Sequence, residues 1–159
     1  MTPPTLWDFA GVDGPPVARA LFGEAAARLS VWQSLDTDWN GTPCAVLRLC
    51  EGNYRVASYG NGGEALGREA AGRRVWIKPA RLVTLAARDT VKLLLPLASV
   101  KPPHRLAGLP IDRAVPARLG DYSVVLWRHT VAGTPILDVQ AVPGDGAAVR
   151  DILCQGGLL

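Results

Sequence analysis

Apolar and polar positions recur along this chain in two different periods, and the switches between them predict its elements. Val17, Leu21, Ala25, Leu29 and Trp32 return every three or four residues, Ala18 and Phe22 widen the stripe, and Arg19, Glu24 and Arg28 fall mostly on other faces. That period describes an amphipathic helix that needs a sheet or a partner to cover one side. Asp13 is placed to cap it, and Pro15 and Pro16 sit where first-turn amides have no intrahelical acceptor. The helix is expected to run to about Ser34, because residues 36–43, DTDWNGTP, are turn chemistry throughout.

The pattern then shifts to a period of two. Residues 44–50 (CAVLRLC) and 54–59 (YRVASY) flank Glu51-Gly52-Asn53 and predict a β-hairpin. A glycine-rich turn, residues 60–63, leads into a short helix over residues 64–71. Val75, Ile77, Val83 and Leu85 alternate with Arg74, Trp76 and Lys78, but Pro79 interrupts them. Proline cannot donate to a ladder, so this stretch reads as an edge strand, a bulged strand or two short strands meeting at a corner. Residues 91–97 are expected to form a further strand. Residues 99–120 follow as a long connection with four prolines, Pro102, Pro103, Pro110 and Pro116, and a connection of that length tends to be functional or to wrap the surface. Residues 122–129 and 134–142 form a second hairpin around Val131-Ala132-Gly133, and Asp145 opens a C-terminal helix that Gly156-Gly157 ends.

These elements imply a single α+β domain over residues 1–159. It has an extended N-terminal segment over residues 1–12 and about six mainly antiparallel strands, with the N-terminal and C-terminal helices packed on one side. A chain of 159 residues with 48% hydrophobic and 19% charged content can bury its own core and lies far from disordered compositions. The N-terminus lacks the basic and apolar regions of a secretory leader, and the most apolar run, residues 91–100, is too short to span a bilayer. The expectation is a cytoplasmic protein with no membrane contact. Cys44, Cys50 and Cys154 show no paired short spacing, so they read as small buried hydrophobes.

Charge alters the picture only in the middle of the chain. Residues 70–130 carry eleven basic and three acidic side chains, giving +8, while the flanking segments carry −3 and −2. Arg74, Trp76 and Lys78, if they share one solvent-facing strand side, form an aromatic platform between cations, and Arg81 extends it. That layout suits single-stranded nucleic acid, with Arg105 and its neighbours in the long connection adding to the field. The competing and favoured explanation is a half-buried aromatic with basic stems lying across it.

Three further motifs carry chemistry. Asp36, Asp38 and Asn40, followed by Gly41, copy the start of an EF-hand calcium loop, but Leu47 stands where its bidentate glutamate belongs and Pro43 interrupts it, so an Asx-rich turn is favoured and no metal is expected. Gly60, Gly62 and Gly63 fit G-x-G-x-x-A ahead of a helix and could cradle a phosphate, yet no parallel βαβ unit follows, and a flexible turn is favoured. His104, His129 and Asp38 are the available general bases, and Cys44 or Cys50 with His129 would be a nucleophile pair, but no local motif marks them as activated. No cofactor motif is present, and whether the chain is an enzyme stays open, leaning against. The leading expectation is a non-enzymatic accessory or protein-interaction domain, with Trp76, Trp127 and Leu109 as anchors and His104 in the adjoining connection. A nucleic-acid-binding module over the basic residues 73–118 is the alternative, and a small enzyme with a histidine-based site is the third.

Overall fold

The structure is a computed structural model and describes residues 2–60 and 62–159. The chain divides into two compact units, Met1–Ala80 and Arg81–Leu159. Each is built on a five-stranded antiparallel sheet, and the described residues form ten strands and five α-helices. The α+β class expected from the sequence is therefore observed, but the expected six strands are corrected to ten in two sheets.

In the first unit, β1 (Thr5–Ala10), β2 (Ser34–Trp39), β3 (Thr42–Cys50), β4 (Asn53–Ser58) and β5 (Trp76–Pro79) are ordered β2-β3-β4-β1-β5. Within the extended N-terminal segment, Thr5–Ala10 is thus an interior strand of the sheet. Trp7 and Phe9 stand opposite Val56 and Tyr54 across the β1–β4 ladder, and Phe9 stacks on Tyr54 with ring centroids 5.0 Å apart. On this face pack Val17 and Ala18 of α1 (Gly14–Phe22), Ala26 of α2 (Glu24–Ala27) and Leu66 of α3 (Gly63–Ala70).

The expected single helix over residues 14–34 is broken. Gly23, at φ +93, ends α1 and starts the one-turn α2, conformations a glycine adopts without the Cβ clash of other residues. What read as continuous turn chemistry from Asp36 is strand β2 followed by Asn40 and Gly41, both at positive φ, the pairing that a two-residue type I′ hairpin requires.

In the second unit, β6 (Val83–Ala87), β7 (Ala98–Ser99), β8 (Arg113–Leu119), β9 (Tyr122–Val131) and β10 (Thr134–Ala141) are ordered β6-β10-β9-β8-β7. The hairpin β9–β10 forms as expected. Two expectations fail. Residues 91–97 are not a strand: α4 (Val91–Leu94) turns there and buries Leu94, since a short apolar run suits either a helical turn or a strand. The long connection ends at Asp112, because β8 occupies residues 113–119. Pro116 is tolerated in β8 because β7 pairs only with Leu119 and Arg118, which leaves the stretch around Pro116 with a ladder partner on one side alone.

Helix α5 (Gly146–Gln155) lays Val149 and Leu153 into a core with Leu85, Leu126, Leu137 and Val139. Asp145 is its N-cap but makes no side-chain cap bond. The helix closes with a Schellman motif: Gly157 N–H donates to the Cys154 carbonyl at 3.1 Å and Leu158 N–H to the Leu153 carbonyl at 2.9 Å, with Gly157 at φ +77. The first and last helices therefore do not share one side of one sheet as expected; α1 covers the sheet of the first unit and α5 that of the second.

Candidate functional site

The stretch with the densest positive charge is divided by the fold. Strand β5 is the edge strand of the first sheet and β6 is the edge strand of the second, with the boundary between units at Ala80 and Arg81. On β5, Ile77 turns toward the first core while Trp76 and Lys78 point to the other face, and Trp76 is 85% exposed. Ala80 N–H donates to the Leu6 carbonyl at 2.9 Å. The alternation of an antiparallel pair then turns the amide positions of Ile77 and Pro79 away from β1. The donor that Pro79 lacks would have faced outward, so the proline costs this ladder nothing and blunts the outer edge against strand addition.

Arg74 lies just before β5. Its backbone N–H donates to Asp13 Oδ2 at 2.7 Å, and its guanidinium reaches Asp13 Oδ1 at 3.3 Å. These bonds, the backbone one first, hold the Asp13 carboxyl below its ordinary value. Arg73 is paired with Glu69 at 2.9 Å. Lys78 has no ion-pair partner among the described residues, and Arg81 opens the second unit. Trp76 and Lys78 are therefore exposed together on one side of β5, while Arg74 lies before the strand with its guanidinium on Asp13; the half-buried tryptophan that the sequence favoured is not found.

Other expected site residues lie elsewhere. Trp127 is fully buried and Leu109 is 4% exposed, both inside the second unit, so neither is a surface anchor as it stands. His104 is half-buried and Arg105 exposed in the connection after β7. Asp36 and Asp38 are exposed on extended β2, where Asp38 accepts the Gly41 N–H at 2.6 Å to close the hairpin turn. They do not form a ligand loop with Asn40, and no group of three or more His, Cys, Asp or Glu that could hold a metal occurs among the described residues.

The glycines of the G-x-G-x-x-A pattern have a packing reason, as far as they are described, Asn61 lying outside the described residues. A Cβ on Gly62 would stand 2.5 Å from Cε3 and Cη2 of Trp39 and closer still to Cζ3, and one on Gly63 would stand 2.8 Å from Cη2 of Trp7. Indole rings fill the space beside these glycines that a phosphate would need. Gly60 N–H donates to Ser58 Oγ at 3.2 Å, so that amide is already engaged.

His129 is buried, with Nε2 2.7 Å from Asp138 Oδ2 and its ring stacked on Trp127 at 4.2 Å. The pair has the form of an oriented base, but side-chain exposures of 0% and 2% close it to a substrate. Cys44 is buried, and desolvation pushes its thiol up to about 12, the reverse of activation. Cys50 and Cys154 are exposed.

One concave site lies within the second unit and carries no signal in the sequence. Asp89, Thr90, Val91, Lys92, Leu95, Gly108, Leu109 and Arg128 line a cavity of about 350 Å³. Arg128, on β9, donates from Nε and Nη2 to the two Asp89 oxygens at 2.7 and 3.0 Å and from Nη1 to the Leu109 carbonyl at 2.8 Å. Asp89 is 39 residues from Arg128, a spacing set by the sheet and invisible to any local pattern.

No family model matches this chain, and no curated protein matches it. Among solved structures it is similar to aminomethyltransferase T of the glycine cleavage system from Bartonella henselae, at 16% identity and a TM-score of 0.73, over 94% of this chain and 42% of that one. It is also similar to a chain of the heterotetrameric sarcosine oxidase from Corynebacterium sp. U-96, solved with pyrrole 2-carboxylate, at 18% identity and a TM-score of 0.70, over 96% of this chain and 78% of that one. The chain thus has the α+β fold seen in these two proteins. It spans less than half of the aminomethyltransferase chain.

Proposed function

We propose that this chain is a non-enzymatic accessory domain that works by docking on a protein partner through the Trp76 face of β5. The observation that carries the reading is a tryptophan 85% exposed at the edge of a folded sheet. Large aromatics left on a surface are costly there and concentrate at interfaces, where a few of them dominate binding energy. Lys78, with no ion-pair partner among the described residues, is exposed on the same side of β5, so the complementary partner surface carries a carboxylate beside an apolar pocket for the indole. Of the two structures that share the fold, one is the aminomethyltransferase of the glycine cleavage system and the other a chain of a heterotetrameric oxidase, and the second supports a place for this fold inside a multi-chain assembly.

The test compares the wild-type chain with Trp76→Ser and Lys78→Glu in extract of the native host, by size-exclusion chromatography with detection of this chain. The wild type is expected to elute in a larger assembly and Trp76→Ser at the mass of the free chain, with unchanged circular dichroism. Elution of the wild type as a free monomer, or of Trp76→Ser still in the assembly, refutes the reading. The same exposed Arg74, Trp76 and Lys78 suit a single-stranded nucleic acid, and nuclease treatment distinguishes the two. If nuclease disperses the assembly, and purified protein binds oligonucleotides with an affinity that falls as salt rises, the partner is nucleic acid.

A further inference from the structure

We propose that the cavity beside α4 in the second unit is a binding site for a small monocarboxylate with an apolar body. Its volume of about 350 Å³ falls at the low end of the roughly 300–1,000 Å³ typical of small-molecule sites. A guanidinium has five N–H donors. Three of those on Arg128 are taken by Asp89 and by the Leu109 carbonyl, which leaves one N–H on each terminal nitrogen. Asp89 thereby fixes the guanidinium plane, and its hydrogen bonds also raise the Arg128 pKa.

Lys92 stands on the lining with no ion-pair partner among the described residues. The lining's charged side chains, Asp89, Lys92 and Arg128, sum to one positive charge, which suits a monoanion better than a phosphate or a dicarboxylate. Val91, Leu95 and Leu109 supply the apolar part of the wall, Leu109 being 4% exposed. A pre-oriented guanidinium with spare donors, an exposed ammonium and aliphatic walls are what a carboxylate on a hydrocarbon body needs: charge-assisted hydrogen bonds at one end and dry contact at the other.

The experiment titrates the full chain, uniformly ¹⁵N-labelled, with hexanoate, hexanamide and hexylammonium at pH 7 and constant ionic strength, following amide shifts. Hexanoate is expected to move the amides of Thr90, Lys92, Gly108 and Leu109 with saturation, and hexanamide to bind about tenfold more weakly. Hexylammonium is expected not to bind. Lys92→Ala, an exposed change that leaves the fold intact, is expected to weaken hexanoate about three- to fivefold, the scale of one exposed ion pair. Leu95→Ser is expected to weaken hexanoate and hexanamide alike. A tetrapeptide ending in leucine distinguishes a free acid from the chain terminus of a partner; the carboxylate site stands if either the free acid or this terminus saturates these amides. Saturable binding of hexanoate and hexanamide with equal affinity, no effect of Lys92→Ala on the carboxylate that binds, or no saturable shift with any carboxylate overturns the proposal. Trp76 plays no part in this site, so failure here leaves the docking reading untouched.

Discussion

Gly62→Ala is the change that most directly tests why the glycine-rich turn before α3 exists. Gly62 has an ordinary φ of −130, so alanine there meets no backbone strain and the whole effect comes from space and capping. The added methyl would lie 2.5 Å or less from three atoms of the Trp39 six-membered ring. That ring cannot swing aside cheaply, being 6% exposed and held edge-on against Phe22 of α1, with centroids 5.2 Å apart. Overpacking of this kind costs about 1–3 kcal/mol. Gly62 is also the N-cap of α3, and alanine is the poorer cap by about 0.5–1 kcal/mol.

The expected loss is therefore about 2–3 kcal/mol, which lowers the melting temperature of a chain this size by roughly 5–10 °C. Gly67, exposed in the middle of the same helix, has nothing within 4 Å of its Cβ position, and Gly67→Ala should stabilise by about 0.5–1 kcal/mol through propensity alone. Urea unfolding of both variants, and of Gly62→Ala in a Trp39→Leu background, isolates the cause. In that background the alanine should cost only its capping share. If Gly62→Ala is neutral, or costs the same with and without the indole, the packing explanation of this turn is wrong, and the phosphate reading of the glycines returns.

Asp8→Ala removes the carboxylate that accepts Arg55 Nε and Nη2 at 2.8 and 3.0 Å across the β1–β4 ladder, where the side chains are only 16% and 10% exposed. It should cost about 3 kcal/mol, whereas Glu64→Ala, breaking a 3.6 Å pair on the open surface of α3, should cost under about 0.5 kcal/mol; equal costs in denaturant titrations would contradict the burial argument. An aromatic disulfide reagent at pH 8 should titrate Cys50 and Cys154 quickly and Cys44 only on denaturation, and three fast thiols would contradict the burial of Cys44. Because the folded Cys44 thiol, pushed up to about 12, holds its proton more tightly than the ordinary thiol at 9.0, unfolding releases a proton above pH 9. This thiol's contribution is therefore full below pH 9 and is lost as pH rises from about 9 to about 12, a slope that Cys44→Ala should remove.

The hairpins were legible in the sequence because their signals are local. Residues 44–50 with 54–59, and 122–129 with 134–142, pair through turns whose glycines lie between period-two arms, and β3–β4 and β9–β10 are found there. The Asn40-Gly41 dipeptide is the same kind of signal. It was hidden because Asp36 and Asp38, polar yet extended on β2, resemble turn residues when alternation is judged by charge. Gly120 at φ +58, with Asp121 between β8 and β9, is another, masked by Pro116, which groups residues 113–119 with the proline-rich connection.

Burial of single aromatics was not legible. Trp76 and Trp127 both stand in β-type runs with a basic residue within two positions, yet one is 85% exposed and the other fully buried. The difference is position in the sheet: β5 is an edge strand with one neighbour, while β9 lies between β8 and β10.

By itself, the sequence determined the two hairpins β3–β4 and β9–β10, the C-terminal helix and the alternation of Trp76 and Lys78 against Ile77, because each depends on neighbours within a few positions. Only the tertiary structure decided which strands became interior and which became edges, that Trp39 and Trp7 occupy the glycine turn, and that Asp89 meets Arg128 at a cavity. Those outcomes depend on contacts between residues tens of positions apart, and no local periodicity encodes them.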